Sequence, residues 1–356
     1  WLAPTPLTND AQPDFAPTLA YAGNRGLLLW ERSTLPTGIT PTLSITFAQS
    51  LEIAGSVWNG SAWSAPVTLT TNSLMDHAPR LAIGGGGAAL ALWQTNDGTD
   101  ILGTPAHPLT LTYALWNGTA WNAPAPALAG LYDVLDVDVA LNSAALGTLV
   151  YVRDMDGLLS TTTDSELFYS TFNGVTWSVP TQVTSDTVAD TTPAVAYDPA
   201  GVRHLLWLRG GQLVELRGSW DPTQAQVVLP AATEGGLLGF RLSRAADSNL
   251  ALSWQAINGT DSDLTYSLYD GTDGRWSAAR PLLNDLAVEA AHSPAFGDDG
   301  NLYLAYQQTA ISLVTKTVTM SPTLTITVTG LPQPGQSDLV FLEHPVGYDW
   351  ALESLQ

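Results

Sequence analysis

A nine-residue phrase returns along the chain and limits what the chain can fold into. It reads Trp58-Asn-Gly-Ser-Ala-Trp63-Ser-Ala-Pro66, then Trp116-Asn-Gly-Thr-Ala-Trp121-Asn-Ala-Pro124, then Phe172-Asn-Gly-Val-Thr-Trp177-Ser-Val-Pro180. A looser copy runs from Tyr269 to Trp276, and a more decayed one lies around Trp220-Asp221-Pro222. Asn-Gly between β-rich runs signals a hairpin, because a type I′ turn needs positive φ at both central residues. Each copy therefore predicts strand, tight turn, strand.

Two further strands precede each copy. The first holds Ala16-Pro17, Ala78-Pro79, Asp136-Val-Asp138, Thr192-Pro193, Gly239-Phe240 or Ser293-Pro294. The second ends in an aromatic residue: Trp30, Trp93, Tyr151, Trp207, Trp254 or Tyr306. No useful helical periodicity appears. Six repeats of four antiparallel strands predict an all-β fold, a six-bladed β-propeller whose blades bury one another's faces. The expected blades cover roughly 13–72, 76–129, 133–186, 190–233, 236–286 and 290–344. All but Trp350 of the 13 tryptophans occupy repeat positions, which points to packing between blades.

The start, Trp1-Leu-Ala-Pro4, matches Trp63-Ser-Ala-Pro66, the opening of a fourth strand. Residues 1–9 are thus expected to pair into the last blade and close the propeller. Residues 345–356 read as an exit segment towards a further domain. Pro41-Thr-Leu43-Ser-Ile45-Thr-Phe47 resembles Pro322-Thr-Leu324-Thr-Ile326-Thr-Val328. Both alternate apolar and hydroxyl residues, as half-buried strands do. They predict either elongated hairpins or a protruding ledge open to strand addition and self-association.

Composition narrows function more than fold. The formal charge is −21, with 12 basic and 33 acidic residues. Such a surface disfavours nucleic acid and anionic membranes, and favours cations, neutral sugars or basic proteins. No apolar run reaches the roughly 20 residues of a membrane span. Cysteine is absent, which excludes disulfides, thiolate metal sites and a cysteine nucleophile. A chain that is acidic and poor in lysine suggests an extracellular or cell-surface location.

Acids gather in the loops. Asn96-Asp97-Gly-Thr-Asp100, Asp154-Met-Asp156-Gly157 and Asn258-Gly-Thr-Asp261-Ser-Asp263 lie between second and third strands. Calcium takes 6–8 oxygen ligands, and a glycine lets such a loop curl. These six aspartates are calcium candidates, although the same residue types dominate ordinary turns. Asp136, Asp138 and Glu289 are the candidate catalytic carboxylates, because glycan cleavage needs an acid pair with one raised pKa. His77 and His292 each precede a first strand and could share a metal. Gly84 to Gly87 lacks the lysine and helix of a phosphate loop and reads as a turn. Trp63, Trp121, Trp177 and Trp276 precede the outer strand; they either pack or offer a ligand platform.

The Gly174-Val-Thr176-Trp177 segment, with Gly60-Ser-Ala-Trp63 and Gly118-Thr-Ala-Trp121, resembles the Asp-box repeat of sialidase-like propellers. The box's Ser and Asp are lacking. The resemblance implies three arginines around a substrate carboxylate and a Tyr/Glu nucleophile pair. Arg80, Arg153 and Arg241 follow strand anchors but do not form such a set in sequence. The expected function is therefore a non-catalytic binding or structural module that recognises glycan or protein, with structural calcium and no other cofactor. The alternatives are a propeller-type glycan hydrolase or lyase, and a self-assembling surface component.

Overall fold

Second strands are buried along nearly their whole length. Ala89–Asn96 and Gly147–Asp154 each hold only one residue that is not buried. A strand closed on both faces must lie between two other layers. The computed structural model shows those layers as stacked antiparallel sheets. It describes residues 7–8, 12–22, 25–35, 45–84, 87–198, 200–229, 237–244, 250–258, 261–271, 273–282, 287–296, 302–321 and 324–344, the last two as backbone. The chain divides into two compact units, Trp1–Gly210 with Val214–Gln226, and Gly211–Leu213 with Val227–Gln356.

Four sheets have four strands each, taken in chain order. The first contains Asp14–Ala22, Arg25–Ser33, Leu51–Trp58 and Val67–Thr68. The second contains Met75–Ile83, Ala89–Asn96, Leu109–Trp116 and Ala125–Leu131. The third contains Val134–Leu141, Gly147–Asp154, Ser165–Phe172 and Thr181–Gln182. The fourth contains Asp190–Tyr197, Arg203–Arg209, Gln212–Arg217 and Gln226–Leu229. The core lies between sheets. Leu29 and Ile53 meet Ala91 and Trp93; Leu90 and Tyr113 meet Val139 and Tyr151; Val150 and Val152 meet Leu205 and Trp207.

The fifth sheet corrects the blade count to five. It has eight strands and joins the expected fifth and sixth repeats. Leu237–Arg244, Leu250–Asn258 and Asp261–Asp270 continue through a parallel bridge, Ser262 to Val288, into Ala287–Phe296, Leu302–Ser321 and Leu324–His344. The outer strand of the fifth repeat is only two fragments, Arg275–Trp276 and Arg280–Pro281. They cover Thr265, Tyr266, Tyr269 and Asp270. The Ser262 end of that edge is left for the next repeat's first strand. The result is an all-β propeller of four-stranded antiparallel blades, five rather than six.

Three local expectations meet the structure, and the first two change. The Asn-Gly turns are not two-residue type I′ turns: Trp58 bridges Trp63, so four residues lie between them. Only the glycine takes positive φ, 99° at Gly60, 100° at Gly118 and 93° at Gly174. Asn59 Oδ1 accepts the N–H groups of Ser61 and Ala62 at 3.0 Å, and Asn117 and Asn173 repeat the pattern. Asparagine thus acts as an acceptor that closes the loop. Second, the expected strand over 41–47 is overturned at its end, where Ile45–Ala48 is a helical turn. This turn brings Phe47 against the buried Ala48, Leu51 and Met75 and edge-on to Phe15, while Ile45 stays exposed. Third, Leu302–Ser321 and Leu324–His344 pair as one long hairpin, whose far half, Ile311↔Pro334 to Ser321↔Leu324, runs beyond the residues paired with Ala287–Phe296. Leu324, Ile326 and Val328 lie on this ribbon. Leu43, the N-terminal closing strand and the exit segment lie outside the described residues, apart from Leu7 and Thr8, which form no strand.

Candidate functional site

Five first strands share one irregularity that decides where the acids go. Two residues of the first strand face one residue of the second: Ala16-Pro17 against Trp30, Ala78-Pro79 against Trp93, and Thr192-Pro193 against Trp207. The fifth sheet repeats the shift between Leu237 and Phe240 and between Ala290 and Ser293. Ala16, Ala78 and Thr192 have φ of 45°, 52° and 51°. Proline is tolerated because a bulge leaves one N–H outside the ladder. The bulge lets the opposing indole reach back: Trp30, Trp93 and Trp207 donate from Nε1 to Asp14, Asp76 and Asp190 at 2.7, 2.9 and 2.7 Å. Arg32 and Arg209 pair with Asp14 and Asp190 as well. Burial pushes the Asp76 carboxyl up despite hydrogen bonds from Thr95, Asn72 and Trp93. These acids cap the buried tryptophans.

Asp136 and Asp138 belong to a second set that stitches one blade to the next. Glu31 accepts the N–H of the bulge residue Ala78 at 2.7 Å. Arg80 donates from Nε to the carbonyl of Val137 at 2.9 Å, and from Nη2 to Asp136 at 3.1 Å. Asp138 Oδ2 accepts the N–H of Val195 at 2.8 Å. One guanidinium of the second blade therefore sits among three carboxylates from the first and third. Burial raises the Glu31 carboxyl, countered by the Ala78 N–H and the Arg80 charge. Burial pushes Asp138 up to about 6, again countered by a backbone N–H and by Arg80. A carboxyl group in that range can hold a proton near neutral pH. Glu289 lies on Ala287–Phe296 opposite Gln308; its side chain is outside the described residues.

The three acidic loops differ in structure. In the first, Asp97 Oδ2 lies 2.6 Å from His107 Nδ1, and Asp100 Oδ1 accepts the N–H of Leu102. The His107 hydrogen bond holds Asp97 below the usual carboxylate range. In the third, Asp261 and Asp263 are strand residues, and Asp263 is buried. In the second, Asp154 and Asp156 meet Asp164, with one oxygen from each within 4.8 Å of the others. Asp164 escaped the sequence reading because it stands at the far end of the loop, next to the third strand.

Trp63, Trp121, Trp177 and Trp276 are half-buried. Each rests on the aromatic residue across its hairpin, at 5.8 Å from Trp58, 5.5 Å from Trp116, 5.2 Å from Phe172 and 5.4 Å from Tyr269. Trp177 also meets Tyr113 of the preceding blade edge-on at 5.8 Å. His77 and His292 are both buried. The sequence reading also missed His204, which is fully buried between Glu215 at 2.6 Å and Asp198 at 3.5 Å. Among the described residues, Arg32, Arg80 and Arg209 are ion-paired with aspartates, Arg153 lies over Tyr132, and Arg203 lies over Trp220. Each of these five guanidiniums has a partner within the fold.

No family model matches the sequence, and no curated protein matches it. Solved structures do. A protein of unknown function from Dyadobacter fermentans superposes with a TM-score of 0.55 at 12% identity, over 84% of this chain and 91% of that one. A Hadza microbial sialidase gives 0.53 at 11%, over 82% of this chain and 63% of its own, so this chain spans under two thirds of that enzyme. An ulvan lyase, from a polysaccharide lyase family, gives 0.52 at 13%, over 82% and 75%. At such identities the likeness shows the fold alone, that of sialidase-like propellers.

Proposed function

We propose that this chain is a non-catalytic binding propeller, extracellular or at a cell surface, that recognises a glycan or a protein. The observation that carries the reading is what the candidate catalytic carboxylates already do. Asp138 accepts a backbone N–H group of the following blade, and Asp136 is ion-paired to Arg80. Each is built into the junction between blades. Of the arginines weighed for an acidic sugar, Arg80 is ion-paired and Arg153 lies over Tyr132. What remains for a partner is an acidic surface suited to neutral sugars or basic protein segments.

A second reading, glycan hydrolysis or elimination, is favoured by one feature: Asp138, held at about 6, stands two residues from Asp136. A panel of sialosides, neutral glycosides and uronic-acid polysaccharides separates the two. The binding reading expects retention on a glycan or protein array without turnover. Turnover lost in both Asp136→Asn and Asp138→Asn, with folding intact, would overturn it in favour of the second.

A further inference from the structure

We propose that the loop from Asp154 to Asp164 is a calcium site, with Asp154, Asp156 and Asp164 as its protein carboxylates. The inference stands apart from the binding function above. Three acids on one loop repel one another unless something positive joins them. The hydrogen bonding shows the gap. Asp154 is 0% exposed; its Oδ1 accepts the N–H groups of Asp156 at 3.2 Å and Gly157 at 2.7 Å. Its Oδ2 is buried and has no hydrogen-bond partner. Asp164 repeats the arrangement: Oδ2 accepts the Asp156 N–H at 2.9 Å, and Oδ1 is buried without a partner. A buried carboxylate oxygen with no donor is costly. No lysine or arginine pairs with these three residues among the described ones. Arg153, next in sequence, lies over the Tyr132 ring.

The donor set selects the ion. It is all oxygen, with no imidazole or thiolate, which suits a hard cation. One oxygen from each acid falls within 4.8 Å of the others. One ion can therefore reach all three, and calcium tolerates the irregular, water-completed coordination that an exposed loop offers, whereas magnesium demands a near-ideal octahedron. Gly157, at φ of 72°, curls the loop; a Cβ there would stand 3.6 Å from Asp133 Oδ2, which places a fourth acid beside it. Residues 155–163 are exposed, so an ion reaches the loop from solvent and keeps water ligands. The loop at Asp97 lacks this gap, because His107 already pairs with that carboxylate.

The test is calorimetric titration of the chelator-stripped full chain with calcium chloride alone, and terbium luminescence sensitised by the aromatic residues. Calcium is expected to give saturable one-site heat and to raise the melting temperature. Asp156→Asn and Asp164→Asn should each weaken binding about tenfold or more, and the exposed Asp273→Asn should not. Asp156 is exposed, so its variant tests the site without disturbing the core; circular dichroism checks its folding. The proposal is overturned by the absence of saturable heat up to about 10 mM, beyond the weak end of extracellular calcium modules. It is equally overturned by undiminished binding in Asp156→Asn, or by magnesium binding as tightly as calcium.

Discussion

His77 lets the stability of this fold be predicted as a function of pH. The side chain is 6% exposed on Met75–Ile83, paired with Gln94, and its Nε2 is buried without a hydrogen bond. Burial lowers its pKa from 6.5 to about 4. The folded chain therefore keeps the ring neutral while the unfolded chain takes up a proton below pH 6.5. Stability is full above that value and declines as pH falls towards 4. Over the 1.5 units between pH 6.5 and 5, the loss is about 2 kcal/mol. Asp138 acts in the opposite sense: its raised carboxyl is destabilising when ionised, so it regains stability as pH falls through about 6. The raised Asp76 beside His77 acts likewise. The total curve mixes these signs, so the measurement is a difference. Urea unfolding of wild type and His77→Leu, followed by tryptophan fluorescence at pH 7 and pH 5, isolates the histidine. Wild type should lose about 2 kcal/mol more than the variant over that interval. Parallel curves would refute the assignment of a neutral, desolvated ring.

Three further outcomes follow from the junctions. Asp190→Ala strands the Trp207 indole and leaves the Arg209 guanidinium with Asp186 as its remaining ion-pair partner, so it should cost about 1–3 kcal/mol in urea unfolding, with Asp190→Asn milder because it keeps an acceptor. Asp136→Asn breaks only a half-exposed pair with Arg80, so its cost should stay within about 1 kcal/mol by the same measurement. Gly118→Ala meets no atom within 4 Å but must adopt φ of 100°, so strain alone should cost about 1–3 kcal/mol, read as a lowered melting temperature.

The repeat was legible because it is local. Asn-Gly followed by a tryptophan marks a hairpin whatever lies around it, and the aromatic ends of second strands are indeed buried at Trp30, Trp93, Tyr151, Trp207 and Trp254. The blade count was not legible, because it depends on whether Asp261–Asp270 keeps its own outer strand. Two fragments of two residues do not cover that edge, and nothing in the local sequence announces that Ser262 will pair with Val288. The turn type failed for a different reason. Asn-Gly favours positive φ at both residues of a two-residue loop, but here Asn59 anchors a four-residue loop with its side chain. Part of the site was visible: Asp154 and Asp156 stand out as an Asp-x-Asp-Gly loop. Asp164 was hidden, since its closeness to Asp154 comes from the loop's return to the third strand.

The net charge of −21 invites a search for a single acidic face, and the structure shows why that search misleads. Asp14, Asp76 and Asp190 recur at the same place in their blades because an indole N–H buried beside a bulge needs an acceptor. Glu52 and Glu166 recur because the N–H groups of Asn72 and Asp186 need one, each at 2.8 Å. Glu31 and Asp138, on a second and a first strand, each accept one N–H group from the following blade. Repetition at equivalent positions is thus a sign of structural duty in this chain: three blades present the same indole donor and two the same backbone donor, and selection for folding alone would place an acid there. Function is better sought where that periodicity breaks. The first loop answers its acid with His107; among the described residues, the third blade's loop alone gathers three acids, Asp154, Asp156 and Asp164, with two of their oxygens buried and unpaired. Glu52 and Glu166 also keep one buried oxygen without a hydrogen-bond partner, so an open oxygen alone does not mark a site; what sets the third blade's loop apart among the described residues is that three carboxylates come within reach of one ion.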